Sequence, residues 1–391
     1  PMSRLLEGDV GSGKTAVAAT AAYAAVTAKL QVAYMAPTEI LARQHFESFI
    51  KYFSHLPVQV ALITGSGCYK FPSKINPNSY TDISRAQLLK WVANGEIAVL
   101  VGTHALIQKS VKFKQLALAI VDEQHRFGIA QRQKLVNNHV VIPHLLSMTA
   151  TPIPRTLALT LYGDLDLTLL DEMPAGRKRI ATKIVFQNGR AAAYDEIRKE
   201  LASGRQLYVI CPRIDEPDPT KELAIQAKSV KEEAKRLGKE VFPNFHIEIL
   251  HSKMPARPNG RSGGKPSKEE VMNRFAAGKI DILVATSVVE VGVSVENASL
   301  IVIEGAERFG LAQLHQLRGR VLRGTHQPYC YLFPASASQK STERLKALTL
   351  AKNGFELAEL DLKNRGAGAL SGVKQWGISD LGMEAIKNIK L

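Results

Sequence analysis

The sequence predicts an α/β protein of two successive domains, each a mainly parallel sheet flanked by helices, with a helical segment at the C-terminal end. The chain has 391 residues, of which 45% are hydrophobic, enough for two domains that each bury a core. Short apolar runs rich in β-branched residues alternate with helical stretches through both halves, a pattern typical of parallel sheets. A basic segment with proline and glycine at residues 173–179 separates the halves and is predicted to be a linker.

The first domain is predicted over residues 1–172. It opens on a glycine-rich segment and a helix over Thr15–Lys29, whose many alanines favour helix formation. Its predicted strands are Val32–Met35, Val60–Ile63, Ile97–Val101, Leu116–Val121 and Leu145–Met148. Very little chain precedes the glycine-rich segment. We therefore expect no strand in front of it, and we infer that the sequence is part of a longer protein.

The second domain, predicted over residues 180–340, repeats the alternation of strands and helices. Its predicted strands are Gln206–Ile210, Phe245–Leu250, Ile280–Ala285, Leu300–Ile303 and Tyr329–Phe333. A helix is predicted over Lys221–Leu237. Residues 255–266, rich in Gly, Pro and Arg, are predicted to form a mobile surface loop. Over residues 341–391 the alternation stops, and the pattern indicates a helix, a glycine-rich turn and a second helix.

Composition narrows the classes of function. No apolar run of about 18 residues is present to span a bilayer, and the start lacks the pattern of a signal peptide, so we expect a cytoplasmic location and no membrane partner. Cys68, Cys211 and Cys330 are widely separated and lack nearby Cys or His partners, which argues against a disulfide framework or a zinc site. The formal net charge of +15 favours a polyanionic partner, either nucleic acid or an acidic surface.

The glycine-rich segment has the pattern of a phosphate-binding loop. Its residues are Gly8, Asp9, Val10, Gly11, Ser12, Gly13, Lys14 and Thr15. Glycines at this spacing let backbone N–H groups turn onto phosphate oxygens where side chains would block the approach. Lys14 is then placed to reach the β- and γ-phosphates, and Thr15 to offer its hydroxyl to Mg²⁺. The alternative is a glycine turn with a surface lysine.

Two adjacent carboxylates, Asp122 and Glu123, follow the apolar strand predicted over Leu116–Val121. Such a pair can hold a metal ion with one carboxylate and polarise an attacking water with the other. We assign Asp122 to the metal and Glu123 to the general base. In the alternative interpretation, the two acids merely end a strand.

Asp122-Glu123-Gln124-His125 resembles a superfamily II helicase motif, and with Arg126-Phe127-Gly128 it resembles the RecG family of branched-DNA translocases. Further segments similar to motifs of that family are Ala36–His45 (motif Ia), Thr64–Ser66, Gly102–Leu106, Thr149–Thr156 (motif III), Ala285–Val293 (motif V) and Gln313–Gly324 (motif VI). The resemblance covers nearly the whole chain. It implies two tandem RecA-like P-loop domains with ATP and Mg²⁺ bound in the cleft between them.

The resemblance also implies roles for single residues of these motifs. Those matching contacts to the DNA backbone are Pro37, Thr38, Thr103 and His104. Those matching residues that couple nucleotide state to the grip on DNA are Thr149, Thr151 and Thr286. Those matching catalytic or nucleotide-binding positions are Gln124, His125, Gly292, and the finger arginines Arg320 and Arg323. Without the family, the threonines would be structural residues at strand ends, and a solitary arginine a surface salt bridge.

The segment Glu359–Gly377 resembles a motif shared by RecG and the transcription-repair coupling translocases. In those families a helical hairpin and its loop convert domain closure into movement along duplex DNA. Arg365 and Gln375 stand at matching positions. The family pattern is altered in the second half. For example, Leu322 stands where glycine is usual, and Ser294 stands where an acidic residue is usual.

The resemblance implies a monomeric, DNA-stimulated ATP hydrolase that moves on branched double-stranded DNA, reversing stalled forks and migrating Holliday junctions in recombination and repair. We expect the N-terminal wedge that engages the branch point in that family to be missing from this sequence, and so weak hydrolysis and poor fork remodelling by the chain alone. Two alternatives stay open. One is a transcription-repair coupling translocase, which Gln124 disfavours because that family usually has glutamate there. The other is a non-catalytic module that only binds duplex DNA.

Overall fold

The computed structural model describes residues 1–124, 127, 129–136, 141–150, 165–172, 178–212, 229–251, 254–255, 266–286, 295–321, 324, 326–335, 339–351 and 353–365. The chain divides into two compact units, the first built from Pro1–Met173 together with the end of the chain from Arg365, and the second from Pro174–Asn364. Each unit has its own sheet and its own buried core. The predicted α/β class with two largely parallel sheets is confirmed.

The sheet of the first unit carries its strands in the order β5-β4-β3-β6-β2-β7-β8-β1-β9. The strands are β1 Ser3–Gly8, β2 Gln31–Met35, β3 Gln59–Ile63, β4 Cys68–Phe71, β5 Thr81–Asp82, β6 Ile97–Gly102, β7 Leu116–Val121, β8 His144–Thr149 and β9 Asp166–Leu170. Neighbouring strands are parallel except in the β3-β4-β5 hairpin segment. The helices are α1 Lys14–Thr27, α2 Glu39–Phe53, α3 Arg85–Asn94 and α4 Ile129–Val136. All five strands predicted for this half are present.

The expectation that no strand precedes the glycine-rich segment is wrong. Ser3–Gly8 forms β1, which pairs in parallel with β8 on one side and β9 on the other. Leu5 and Leu6 are each 1% exposed, because the interior strands of parallel sheets are covered on both faces by the packed helices. Six residues therefore suffice to place the glycine-rich segment at the carboxyl end of an interior strand.

The sheet of the second unit is parallel throughout its described strands, in the order β10-β15-β14-β11-β13-β12. The strands are β10 Ala181–Ile184, β11 Leu207–Cys211, β12 Ile247–Leu250, β13 Ile282–Thr286, β14 Leu300–Glu304 and β15 Tyr329–Phe333. The helices are α5 Arg190–Ala202, α6 Lys268–Ala276, α7 Leu311–Arg318, α8 Gln339–Leu350 and α9 Gly354–Arg365. The five strands predicted here are present. Of the helix predicted over Lys221–Leu237, residues 229–236 are helical and residues 221–228 lie outside the described part.

The helices that follow the second sheet pack onto it. Leu345 and Leu348 of α8 and Leu357 of α9 are nearly inaccessible to solvent and belong to the same core cluster as the residues of β11, β13 and β14. The carbonyl oxygen of Leu348 accepts a hydrogen bond from Nη1 of Arg318 at 2.6 Å. This part of the C-terminal segment is therefore tied to α7. Most of the predicted linker (173–177) and of the predicted loop (256–265) lies outside the described residues. Among the helices that the structure describes, none combines the length and the apolar character of a membrane span.

A largely buried ion pair joins α5 to the end of β14. The guanidinium of Arg190 donates to both carboxylate oxygens of Glu304, at 3.3 and 3.0 Å, and lies 4.6 Å from the ring centroid of Phe333. Burial raises the pKa of Glu304, so the charged form of this carboxylate depends on the Arg190 guanidinium for its stabilisation. We expect Arg190→Met to lower the free energy of unfolding by about 3–5 kcal/mol, because it strands a buried charge. Urea unfolding measures the loss.

The double variant Arg190→Met/Glu304→Leu serves as the control for this prediction. It removes both charges, so it should regain most of the lost stability. The loss in Arg190→Met should also shrink as the pH falls towards the usual pKa of a glutamate, because the pKa of Glu304 in the folded state lies above that value and the buried carboxyl is then already protonated. A double variant as unstable as Arg190→Met would contradict the ion-pair explanation.

Candidate nucleotide-binding site

The candidate site lies along the carboxyl ends of three neighbouring strands of the first sheet. The glycine-rich loop follows β1, the Asp122-Glu123 pair follows β7, and Thr149 ends β8. Because the strand order is β7-β8-β1 and all three are parallel, the loop and the acidic pair meet at one edge with β8 between them. Ligands of open parallel sheets bind at this kind of edge.

The glycine-rich loop has the backbone geometry of an anion cradle. Gly11 and Gly13 take φ values of 80° and 99°, a region that side chains disfavour. A Cβ on Gly8 would lie 2.5 Å from Oγ of Ser12 and 2.9 Å from Cβ of Leu170, and Leu170 lies in the neighbouring strand β9, so this position favours glycine. Nζ of Lys14 donates to the carbonyl oxygens of Gly8 and Asp9 at 2.7 and 2.8 Å. The loop thus opens α1 with its backbone N–H groups at the helix N-terminus, where an anion is stabilised.

Asp122 is a buried carboxylate that stays ionised. Its Oδ1 accepts a hydrogen bond from the N–H of Glu123 at 3.0 Å, and its Oδ2 accepts one from Nε2 of His45 at 2.9 Å. Burial alone would raise the pKa of the Asp122 carboxyl, but these hydrogen bonds and the nearby Lys14 ammonium hold that pKa below its usual value. The result is a fixed negative charge beside the positively charged loop.

Glu123 adopts an uncommon backbone conformation for a residue with a side chain, with φ at 49°. Its Oε2 accepts a hydrogen bond from the N–H of Ala150 at 3.3 Å, just after the end of β8. Local strain of this kind persists where the surroundings hold it, often at functional sites. The next residue, Gln124, is 2% exposed. The backbone N–H of Glu123 therefore donates to Asp122, whereas its side chain points towards Ala150 in motif III.

The oxygen donors present here fit a nucleotide-bound Mg²⁺. Mg²⁺ prefers oxygen ligands and commonly takes one or two carboxylates together with substrate phosphates. Asp122 supplies an ionised carboxylate and Thr15, in the first turn of α1, supplies a hydroxyl. Lys14 lies close enough to influence the ionisation of Asp122. The two halves of the site are thus within electrostatic reach of one another.

The residues assigned to DNA contacts differ in exposure. Thr38 is half-buried and caps α2, accepting a hydrogen bond from the N–H of Leu41 at 3.3 Å. Pro37 is half-buried and His104 is exposed. Thr103 is only 2% exposed, so its side chain points into the unit and its neighbour His104 supplies the exposed group.

Sequence reasoning missed two contacts that organise this edge. Glu39 in the first turn of α2 accepts hydrogen bonds from the N–H and Oγ of Ser66, at 3.1 and 2.5 Å, which joins motif Ia to the Thr64–Ser66 turn. His45 in the same helix donates to Asp122, which is 77 residues away along the chain. Both residues lie within the motif Ia segment, but spacing in sequence does not reveal their partners.

In the second unit, Thr286 ends β13 and is 1% exposed. Arg320 is half-buried in the turn Gly319–Val321 that follows α7. Arg365 ends α9. The remaining predicted site residues lie outside the described part of the chain: His125, Thr151, Gly292, Arg323 and Gln375.

Two models of known protein families match the chain and indicate the class of protein to which it is similar. The DEAD/DEAH box helicase model matches residues 2–160, and the helicase conserved C-terminal domain model matches residues 192–325. The fold is shared with the DNA-bound helicase MrfA, at 16% identity and a TM-score of 0.59 over 88% of this chain and 46% of that one. The chain therefore carries, in tandem, the two conserved domains that are typical of superfamily II helicases.

Relatives with higher sequence identity indicate the family within this class. RecG of Bacillus subtilis is 47% identical over 379 residues, which cover 97% of this chain and 52% of the relative. RecG of Synechocystis sp. is 44% identical over 386 residues, covering 99% and 43%. A structure of RecG bound to a three-way DNA junction matches with 40% identity and a TM-score of 0.72, covering 99% and 46%. The chain belongs to the RecG family of ATP-dependent DNA helicases and spans about half the length of these curated relatives.

Proposed function

We propose that this chain is the ATP-driven motor of a translocase that moves on branched double-stranded DNA, reversing stalled forks and migrating Holliday junctions in recombination and repair. One observation carries the proposal. Lys14 of the phosphate-binding loop and the ionised Asp122 lie at the ends of nearby parallel strands, in a chain whose relatives are ATP-dependent DNA helicases. The site has the parts required to bind and hydrolyse ATP.

In the proposed mechanism, the loop N–H groups and Lys14 bind the phosphates of ATP. Thr15 and Asp122 would hold Mg²⁺, which would supply positive charge beside the transferring phosphoryl group. Glu123 orients and deprotonates the attacking water. Gln124 and His125 complete the motif. From the second RecA-like domain, Gly292 contributes to the nucleotide site and Arg320 and Arg323 stabilise the transferring phosphoryl group.

We propose that the DNA path runs along the segment Pro37-Thr38 and the segment Thr103-His104. The half-buried Thr38 hydroxyl, the exposed His104 side chain and nearby backbone groups suit contacts to phosphates, which fix position without reading sequence. The net charge of +15 supports such a polyanionic partner. Coupling to the nucleotide is assigned to Thr149, Thr151 and Thr286, and conversion into movement to Arg365 and Gln375. The three-way junction in the related RecG structure supports branched DNA as the partner. We further propose that the chain acts as a monomer in the cytoplasm.

The domain assignment follows the same reasoning. We assign residues 1–172 to the ATP-binding domain, 173–179 to the linker, 180–340 to the second RecA-like domain and 341–391 to the helical hairpin that drives translocation. We propose that each cycle of ATP binding and hydrolysis steps the motor along the duplex.

The variant Lys14→Ala tests the motor. Hydrogen bonds to a charged group are worth about 1.5–3 kcal/mol, so at subsaturating ATP we expect phosphate release with forked DNA to fall roughly 10- to 150-fold. Lys51→Ala removes an exposed lysine at the end of α2 and serves as the control for loss of charge. Equal phosphate release by wild type and Lys14→Ala would contradict the proposed motor function and favour the alternative of a non-catalytic module that only binds DNA.

A further inference from the structure

His45 makes a buried hydrogen bond to the carboxylate that the proposed function assigns to Mg²⁺. Its Nε2 lies 2.9 Å from Oδ2 of Asp122, and the two side chains are 9% and 12% exposed. The carboxylate is an acceptor only, because it is ionised. Nε2 of His45 must therefore carry the proton and donate it.

The surroundings of His45 fix its ring. The ring centroid lies 4.5 Å from that of Tyr34, which is fully buried in β2. The Tyr34 hydroxyl is 3.3 Å from the same Nε2, a longer contact than the one to Asp122. Phe49, one turn further along α2, packs edge-on against Tyr34 at 5.4 Å. The donor of His45 is thus aimed at Asp122 by packing that does not itself touch the carboxylate.

We propose that His45 is a positioning residue that fixes the Asp122 carboxylate in the orientation required to bind Mg²⁺. The inference rests on the proposed ATP and Mg²⁺ site and goes beyond it by naming what orients the metal-side carboxylate. The N–H of Glu123 holds one oxygen and His45 holds the other, so the plane of the carboxylate is set from two sides. Hydrogen bonds to metal-ligating carboxylates typically change metal affinity or activity by about 10- to 100-fold when removed.

The same contact ties the metal side of the site to α2. That helix begins directly after Thr38, whose side chain caps it, and His45 lies about two turns further on. Glu39 in its first turn also holds Ser66. The helix that presents the proposed DNA-contact segment therefore also holds the proposed Mg²⁺ carboxylate.

Two amide variants separate positioning from simple packing. In His45→Gln the amide nitrogen can reach the place of Nε2, whereas in His45→Asn it falls short of Asp122. We expect the Mg²⁺ concentration that half-saturates ATP binding to rise about 10- to 100-fold in His45→Asn and to stay within about threefold of wild type in His45→Gln. The measurement is ATP binding by the full chain across a Mg²⁺ titration. ATP affinity in EDTA should be the same in all three proteins.

Phe49→Leu is the packing control, because it loosens the same helix and the Tyr34 contact without touching Asp122. It should lower thermal stability and leave the Mg²⁺ dependence unchanged. Where His45→Asn does not fold, His45→Leu removes the donor and gives the same test. Unchanged Mg²⁺ dependence in the variant lacking the donor, or an equal loss of ATP affinity with and without Mg²⁺, would overturn the proposal. Wild-type ATP binding that is indifferent to Mg²⁺ would instead refute the proposed metal site itself.

Discussion

Replacing Arg320 with alanine is expected to slow DNA-stimulated ATP hydrolysis by about 10³- to 10⁵-fold, the range for loss of an arginine finger. The guanidinium stabilises charge that develops only as the phosphoryl group transfers, so ATP binding should change far less than turnover. Arg320 lies half-buried in the turn Gly319–Val321. Phosphate release at saturating ATP and forked DNA gives the rate, and equilibrium titration gives the affinity for ATP.

Arg318 provides an internal comparison only two residues away. It is 7% exposed, and its guanidinium donates to the Leu348 carbonyl at 2.6 Å and lies 3.0 Å from Nδ1 of His315. Arg318→Ala should therefore reduce stability, whereas Arg320→Ala should melt near wild type. Arg320→Lys keeps the charge but loses the planar fork, so it should recover only part of the rate. Equal turnover in wild type and Arg320→Ala would remove Arg320 from the reaction.

The ten predicted strands could be recognised in the sequence because most are short runs of apolar residues that are buried on both faces. Leu116–Val121 is the clearest case, since prediction and structure agree at both ends. The less buried strands β4, β5, β9 and β10 lack such a run and were not predicted. β1 was missed for a different reason. Its residues Leu5 and Leu6 are as buried as any, but six residues at the start of a chain show no alternation with a preceding helix. Only pairing with β8 and β9, which are distant in sequence, reveals the strand.

The candidate site also combines features that the sequence predicts with contacts that only the folded structure reveals. The glycine spacing before Lys14 and the Asp122-Glu123 pair are local patterns, and the strand order explains why they meet. The hydrogen bond from His45 to Asp122 and the clasp of Glu39 on Ser66 join residues far apart in sequence, so no spacing could indicate them. Burial of Thr103 also depends on the surrounding core.

The second large effect is expected at Glu123. Replacing it with glutamine should lower the rate of ATP hydrolysis by about 10²- to 10⁴-fold, the usual contribution of a general base, because an amide cannot accept the proton of the attacking water. Glutamine preserves the rest of the geometry. Its side-chain oxygen can still accept from the N–H of Ala150, as Oε2 does at 3.3 Å, and the backbone at φ 49° carries a side chain of the same shape.

Binding of ATP should therefore survive in Glu123→Gln, and bound nucleotide should remain as ATP for far longer than in wild type. Single-turnover hydrolysis with the nucleotide analysed after quenching separates this outcome from a loss of binding. Glu196→Gln makes the same chemical change at a half-exposed carboxylate paired with Lys183 in the second unit, and should leave hydrolysis near wild type. Hydrolysis by Glu123→Gln within a few-fold of wild type would place the base elsewhere and leave Glu123 as the residue that joins the end of β7 to Ala150.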